Sequence, residues 1–191
     1  MIERSVCWTD WDGNGLERCF MSQDDNQLIL EGVVSGTREG TYGAYYSVRT
    51  DALFRTREVL VKYIGGRTLH IAANGDGNWH DILSDQPIPS LDGCFDVDIG
   101  VTPATNSLAI KRLGLAPQAS QHIVAAYVPL PSQISGDFLP QPVQQRYSCL
   151  VEGKLYRYEG LFRGFCAELA VDDAGLVIDY PDTFRRVVAQ A

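Results

Sequence analysis

Apolar residues alternate with polar ones along most of this chain, and this period of two restricts the fold more than any other feature. Clusters of Gly, Asn and Asp interrupt the alternation about every ten residues, as short strands joined by turns require. Every second side chain of a strand points to the same face, so the alternation predicts half-buried strands. The sequence therefore predicts an all-β, antiparallel protein.

The predicted strands lie at 2–8, 17–22, 27–34, 42–48, 57–64, 68–73, 78–83, 121–128, 145–151, 154–158, 165–171 and 176–180. Pro129 to Pro142 is a long loop with four prolines, and we expect a lid, a binding loop or a wrapped connection there. At the C-terminus we predict a short helix over Thr183–Ala189, with Asp182 as its N-cap.

A faint internal repeat suggests how the strands are arranged. Leu69–Asp81 can be aligned with Ala167–Asp179, and the segments upstream of each also match in order. We therefore expect a single domain over residues 1–191, built from two pseudo-repeats of about 1–90 and 91–191. Two such half-sheets would curl into a barrel or half-barrel, and a barrel of this size can enclose a ligand cavity.

Composition excludes several classes of partner. The net charge is −8, and an acidic surface repels nucleic acid backbones and anionic membranes.

The five cysteines include no C-x-x-C pair, so we expect reduced thiols. The N-terminus lacks a signal-peptide pattern, and no apolar stretch approaches the ~20 residues of a membrane span. We expect a soluble, cytoplasmic protein without stable membrane insertion.

The densest polar chemistry lies between Cys94 and Leu113, in the stretch CFDVDIGVTPATNSLAIKRL. Asp96 and Asp98 fall two apart on a predicted strand, so their side chains share one face, with Cα atoms about 6.5 Å apart. Arg112 is the planar, bidentate donor close by in sequence. A polar turn between them supplies further hydroxyl and amide groups: Thr102, Thr105 and Asn106.

Several interpretations of this stretch remain open. Asp96 and Asp98 could form the outward polar face of a strand, pair with Arg112 or Lys111, or bind a ligand directly. Their spacing also falls in the range of paired glycosidase carboxylates, but no neighbouring His, Ser or Lys completes an acid–base set. The threonines and the asparagine could equally hold the turn itself.

No pattern in the sequence predicts a metal or a cofactor. His70, His80 and His122 do not have metal-ligand spacing. The stretch from Asn74 resembles a calcium loop, but Trp79 occupies the position that requires glycine, so we predict a hairpin turn. The chain has no glycine-rich phosphate loop and no serine nucleophile elbow.

Tyrosine is common on the predicted strands, with nine in the chain. Rings of this kind can simply fill a core, but they also suit a pocket for an amphiphile because each carries an apolar face and a polar hydroxyl. We take Tyr147 as the candidate of this group.

Four segments resemble those of a known bacterial family, named "putative glycolipid-binding" and formerly a domain of unknown function. Asp96–Leu113 is similar to its central signature, and Ala174–Val187 (AGLVIDYPDTFRRV) is similar to its C-terminal ending. Phe54–Arg57 and Gly77–Trp79 are similar to two shorter elements of the family. Phe54 stands where the family usually has tryptophan, and Ala109 where it usually has proline.

The resemblance implies a β-rich, duplicated, barrel-like fold that binds glycolipid-like ligands, and it supplies no catalytic residue. Our leading hypothesis is thus a non-enzymatic binding protein for a glycolipid or other amphiphile. A carbohydrate-active hydrolase using Asp96 and Asp98, and a structural or interaction protein without a ligand, remain alternatives. The candidate ligand-binding residues are Asp96, Asp98, Thr102, Thr105, Asn106, Arg112, Arg57, Trp79 and Tyr147.

Overall fold

The computed structural model describes residues 1–187, and strands dominate them. The first eight strands are β1 (Ile2–Asp10), β2 (Leu16–Gln23), β3 (Leu28–Gly36), β4 (Tyr42–Thr50), β5 (Thr56–Tyr63), β6 (Thr68–Ala73), β7 (Trp79–Asp81) and β8 (Gln86–Pro87). The others are β9 (Asp96–Ile99), β10 (Ser120–Val128), β11 (Gln141–Val151), β12 (Leu155–Gly160), β13 (Phe165–Ala170), β14 (Asp179–Tyr180) and β15 (Phe184–Arg186). One α-helix, α1, spans Asn106–Leu113 of the described chain.

The strands form two sheets. The larger has ten strands in the order β14-β15-β1-β2-β3-β4-β5-β6-β7-β8, and each neighbouring pair is antiparallel. The smaller has the order β13-β12-β11-β10-β9 and curls into a half-barrel; its one parallel pair is β9 with β10. The predicted all-β, half-barrel class is confirmed. The predicted division into two pseudo-repeats stays a prediction.

Alternation explains the larger sheet. In β3, Leu28, Leu30 and Val34 are buried, whereas Ile29, Glu31 and Val33 on the other face are more exposed. Such inward residues, with Trp8 and Tyr46 among them, pack into one apolar core and fill the space beside the sheet. The proline-rich connection before β11 packs Phe138 onto this core, so of the three expected forms it is a wrapped connection.

The strands β9 and β10 lie between two cores. On β9, Val97 and Ile99 join the first core, which leaves the two aspartates on the opposite face. On β10, Val128 belongs to the first core, whereas Ala125 and Tyr127 belong to a second core within the half-barrel. The aspartates of β9 therefore face the interior of the half-barrel rather than open solvent.

The polar turn after β9 leads into α1, which the sequence analysis did not predict. Leu108 of the helix packs into the first core, and Ala109 and Ile110 pack into the second. Gly114 ends the helix in the left-handed conformation (φ 50°), which glycine adopts without a Cβ penalty. Burial on two sides at once, rather than a one-sided apolar stripe, explains why no amphipathic pattern indicated this helix.

The predicted C-terminal helix is wrong over its described residues. Phe184 to Arg186 form β15, which pairs with β1 through Asp10↔Phe184 and its neighbours. Asp182 has φ 61°, a left-handed turn conformation rather than that of an N-cap. The open edge of β1 offers backbone partners and burial for Phe184, so tertiary pairing decides the structure of this segment. The rest of the predicted helix, 188–189, lies outside the described residues.

Candidate functional site

A cleft of ≈ 200 Å³ opens at the end of β9, and Asp98 lies on its floor. The carboxylate Oδ2 accepts a hydrogen bond of 2.6 Å from Nε2 of Gln145 on β11. Gln145 is itself buried, so β11, which lies beyond β10 in the same sheet, holds this carboxylate in a fixed place. The β9 alternation that buries Val97 and Ile99 thereby aims Asp98 into the cleft.

Aromatic side chains form the walls of the cleft. Tyr127 and Tyr158 come from β10 and β12, and Tyr180 comes from β14 of the other sheet. Phe162 and Phe165 flank the turn between β12 and β13. Rings with hydroxyl groups around a carboxylate can stack on a sugar ring and hydrogen-bond to its hydroxyls.

Because Gly100 has no side chain, the Tyr127 side chain can lie close to the backbone beside Asp98. A Cβ atom built at this position would lie 2.8 Å from the hydroxyl of Tyr127, closer than a real Cβ approaches another atom. The Tyr127 hydroxyl donates to Oε1 of Gln133 at 3.0 Å, in the proline-rich connection. The side chain of Tyr127 is therefore fixed at the rim.

Two arginines line the same cleft from opposite halves of the chain. Arg38 follows β3, donates to the Gly100 carbonyl at 2.8 Å and stacks on the Phe184 ring. Arg163 lies in the β12–β13 turn, donates to Gln133 at 2.9 Å and stacks on the rings of Tyr127 and Phe162. Their positive charges balance part of the negative charge on the cleft floor.

Burial raises the pKa of Asp98 above its ordinary value. The hydrogen bond from Gln145 and the positive charges of Arg38 and Arg163 oppose this shift. Burial and the negative charge of Asp98 also raise the pKa of Tyr158. The tyrosine thus stays a neutral hydroxyl that can donate to a ligand or to the carboxylate.

Thr102 separates the cleft from a second polar group behind it. Thr102 lines the cleft, and its hydroxyl donates to Oε1 of Glu17 at 2.7 Å. The Tyr46 hydroxyl donates to the same oxygen at 2.5 Å. Glu17 is 2% exposed, and its other carboxylate oxygen has no hydrogen-bond partner among the described residues. Burial raises the pKa of Glu17 to about 8. Sequence analysis did not single out Glu17.

Asp96 lies on the same face of β9 but outside the cleft. Nε and Nη2 of Arg112 donate to its two oxygens at 2.7 and 2.6 Å, and Asp96 is 2% exposed. Burial raises the pKa of Asp96, while Arg112 acts in the opposite direction. Helix α1 is thus tied to β9 by a buried, bidentate ion pair, one of the arrangements that the sequence left open.

Other predicted site residues stabilise the turn and helix around the cleft. Thr105 accepts a hydrogen bond of 3.2 Å from the Ile99 amide. Asn106 donates to the Tyr147 hydroxyl at 2.9 Å, and both side chains are buried. The Tyr147 ring lies 5.3 Å from that of Tyr158, so it supports the cleft wall from behind.

Arg57 and Trp79 lie away from the cleft. Arg57 donates from Nε to the Ala73 carbonyl at 3.0 Å. Trp79 is 3% exposed and donates from Nε1 to the Cys94 carbonyl at 2.9 Å. Of the nine predicted residues the structure thus brings Asp98 and Thr102 to the cleft and Tyr147 behind it. Whether any of the nine binds a ligand stays a prediction.

Sequence reasoning missed most of the cleft because its residues come from loops and strand ends. Arg38 and Arg163 lie in turns, where a charged residue is the ordinary choice and carries no signal. Tyr127, Tyr158 and Tyr180 were noted only as members of a large tyrosine set. Tyr180 could have been found, since it lies within the C-terminal segment that resembles the family.

Residues 1–187 contain no cluster of metal ligands and no helix that could span a membrane. Within that range, no group of three or more His, Cys, Asp or Glu side chains is placed to hold a metal ion. Asn74 caps the predicted hairpin turn instead, since its Oδ1 accepts from the amides of Asp76 and Asn78. No helix there is both long enough and apolar enough to cross a membrane.

The order of these features agrees with a family model described as "Putative glycolipid-binding", which matches residues 5–186. The chain belongs to this family. The match covers both sheets, the α1 segment and the strand that returns to β1, and so includes every element that lines the cleft. The family resemblance stated from the sequence is confirmed.

A solved structure supports the same assignment for this member of the glycolipid-binding family. The crystal structure of a DUF1089 family protein from Pseudomonas aeruginosa is similar to the chain with a TM-score of 0.75 and 36% sequence identity. The similarity covers 91% of this chain and 92% of that protein. No curated protein matches the chain.

Proposed function

We propose that this protein binds the polar head of an amphiphile, such as the sugar head of a glycolipid, in the cleft above Asp98. The observation that carries the proposal is a fixed carboxylate at the floor of a cleft walled by tyrosine and phenylalanine. Carboxylates accept hydrogen bonds from sugar hydroxyls, and aromatic faces stack on sugar rings. The family name supports the same class of ligand.

The size of the cleft limits what it takes. At ≈ 200 Å³ it is smaller than the roughly 300–1,000 Å³ of pockets that enclose a whole drug-sized ligand. The first core is filled by its own side chains, so we place the apolar chain of the ligand outside. Leu161 and Phe162, each 41% exposed, lie in the turn beside the cleft and offer an apolar surface for the start of that chain.

The geometry gives less support to hydrolysis by a pair of carboxylates. Such a mechanism needs both acids at the scissile bond. Asp96 is buried against Arg112, and Asp98 is the carboxylate that lines the cleft among the described residues. A binding role uses the cleft as it stands.

Calorimetric titration with two octyl glycosides, kept below their micelle concentrations, tests the proposal. Octyl β-D-glucoside and octyl β-D-glucuronide share one chain and one ring, and octanol serves as the ligand without a head. We expect saturable binding of a glycoside, with NMR shifts at the Gly100 and Gly160 amides that line the cleft. Tyr158→Phe should weaken this binding several-fold because it removes a hydroxyl donor.

Tyr45→Phe is the matched control. Tyr45 lies in β4, and its hydroxyl donates to Glu31 in an exposed position outside the cleft. The change also removes one tyrosine hydroxyl, so binding should stay as in the unmodified protein. Equal binding of octanol, or shifts spread away from the cleft, would contradict the proposed function.

A further inference from the structure

We propose that the head bound in the cleft carries an anionic group, held between Arg38 and Arg163. The inference rests on the proposed function and goes further by naming the charge of the head. It starts from a difference among the arginines of the chain. Many of them are matched with carboxylates, and the two at the cleft are not.

The contrast is clear in the ion pairs. Arg112, Arg146 and Arg186 lie against carboxylate oxygens at 2.6, 2.5 and 2.9 Å. Across residues 1–187, no carboxylate forms an ion pair with Arg38 or Arg163. Arg18, Arg67 and Arg185 also form no ion pair within residues 1–187. Arg38 and Arg163 differ from them because they line a cleft, where the charges of Asp98 and Glu39 act on them without forming an ion pair.

Neutral carbonyl groups hold the two guanidinium groups in place. Arg38 donates from Nη1 to the Gly100 carbonyl, and Arg163 donates from Nη2 to Oε1 of Gln133. A guanidinium has five N–H donors, so these bonds leave donors free and neutralise no charge. The arginines are therefore positioned without being paired.

Gln133 links Arg163 to an acid at the rim of the cleft. Its Nε2 donates to both carboxylate oxygens of Glu39 at 3.0 Å, and Ser132 donates to Glu39 as well. The hydrogen bond from Gln133 lowers the pKa of Glu39, and the charges of Arg163 and Arg38 act in the same direction. Glu39 therefore acts on both arginines through its charge but forms no ion pair with either of them among the described residues.

Aromatic rings stack on both guanidinium groups and leave their N–H edges accessible to an anion. The Arg38 guanidinium carbon lies 4.8 Å from the Phe184 ring centre, and that of Arg163 lies 5.1 Å from the rings of Tyr127 and Phe162. Stacked rings cover a guanidinium face and leave its N–H edge for oxygen acceptors. Carboxylate, phosphate and sulfate oxygens fit such an edge in bidentate fashion.

Asp98 supplies the discriminating test because its charge affects the two kinds of head differently. Both arginines act on Asp98, so the floor sets two positive charges against one negative charge. A neutral sugar would donate a hydroxyl to this carboxylate, and Asp98→Asn should weaken its binding. An anionic head would in addition be repelled by the carboxylate, so the same change should raise its affinity relative to that of the neutral sugar.

The experiment compares octyl β-D-glucuronide with octyl β-D-glucoside, which differ only in a carboxylate for a hydroxymethyl group at C6. At low ionic strength we expect the glucuronide to bind at least about tenfold more tightly, the ratio that one charged hydrogen bond provides. Arg163→Gln should remove most of this preference. Arg18→Gln, an exposed arginine of β2 outside the cleft, should leave it unchanged.

The outcomes separate this inference from the proposed function. Equal affinity for the two glycosides, or a preference for the glucuronide that does not rise in Asp98→Asn, would overturn the anionic head and leave the binding role intact. Methyl β-D-glucuronide has no apolar chain, and binding as tight as that of the octyl compound would keep the anion site but reject an amphiphile. Failure of both octyl glycosides to bind would overturn both statements.

Discussion

Asp96 and Asp98 stand two residues apart on the same face of β9, yet their surroundings differ completely. Asp96 is 2% exposed and is held by two hydrogen bonds from Arg112. Asp98 is partly open to the cleft and accepts from the neutral amide of Gln145. Asp96 forms an ion pair with Arg112. Asp98 forms no such pair among the described residues, but the positive charges of Arg38 and Arg163 act on it.

This difference separates stability from recognition within a single strand. The ion pair fixes α1 against β9 and uses both oxygens of Asp96, so nothing remains for a ligand. At Asp98 the neutral amide of Gln145 donates a hydrogen bond, and Gln145 and the Tyr158 hydroxyl both oppose the rise in pKa that burial causes. A carboxylate that is fixed in place and still has unused acceptor capacity can accept hydrogen bonds from a ligand.

The largest effect should follow from breaking the ion pair. Asp96→Asn leaves the charge of Arg112, whose side chain is 17% exposed, without a partner. We expect the free energy of unfolding to fall by up to about 3 kcal/mol, the lower end of the range for a fully buried pair. Urea denaturation followed by circular dichroism measures this loss. Arg112→Met should lower the free energy of unfolding by a comparable amount, because it leaves the Asp96 charge without a partner.

A double variant checks that the pair, rather than either side chain alone, is responsible. Asp96→Leu combined with Arg112→Met replaces both charges with apolar groups and should recover much of the lost stability. If the losses of the single variants Asp96→Leu and Arg112→Met simply add in the double variant, the two residues act independently. In that case Asp96 would not stabilise the fold through its ion pair with Arg112.

Glu17 extends the comparison to a carboxylate with no cation and no access to the cleft. Its pKa is raised from 4.5 to about 8 by burial, so the folded protein binds more protons than the unfolded chain within that window. Stability should therefore fall as pH rises, by about 2 kcal/mol between pH 6 and pH 8. Thermal or urea unfolding at several pH values measures the slope.

Glu17→Gln should flatten this slope because the titrating group is gone while an amide oxygen still accepts from Tyr46 and Thr102. The exposed Glu31→Gln serves as control and should keep the slope of the unmodified protein. An unchanged slope in Glu17→Gln would show that another group titrates. The buried network behind Thr102 would then hold an ionised acid.

The sequence predicted the part of this comparison that depends on local geometry. Because side chains alternate along a strand, the sequence placed Asp96 and Asp98 on one face, and Arg112 was the planar donor nearest to them in sequence. The choice between the two acids was not accessible, because it depends on α1. That helix packs into two cores at once and has no one-sided pattern to reveal it.

The cleft was beyond prediction for a different reason. Arg38, Arg163 and Tyr180 meet there although long stretches of chain separate them, and alternation tells which way a side chain points, not which strands become neighbours. The return of β15 to the edge of β1 carries Tyr180 and Thr183 into place. The sequence analysis placed Tyr180 at the end of a predicted strand and Thr183 in a predicted helix, so it did not bring the two together in one wall of the cleft.

The smallest effect should come from Asp98 itself. Asp98→Asn keeps the size of the side chain and a carbonyl oxygen that can accept from Gln145, and it removes a charge that burial disfavours. We expect the free energy of unfolding to change by less than about 1 kcal/mol, in either direction. Urea denaturation beside Asp96→Asn gives the direct comparison. A loss as large as that of Asp96→Asn would place both carboxylates in the framework, and the binding role of the cleft floor would have to pass to Thr102 and the tyrosine hydroxyls.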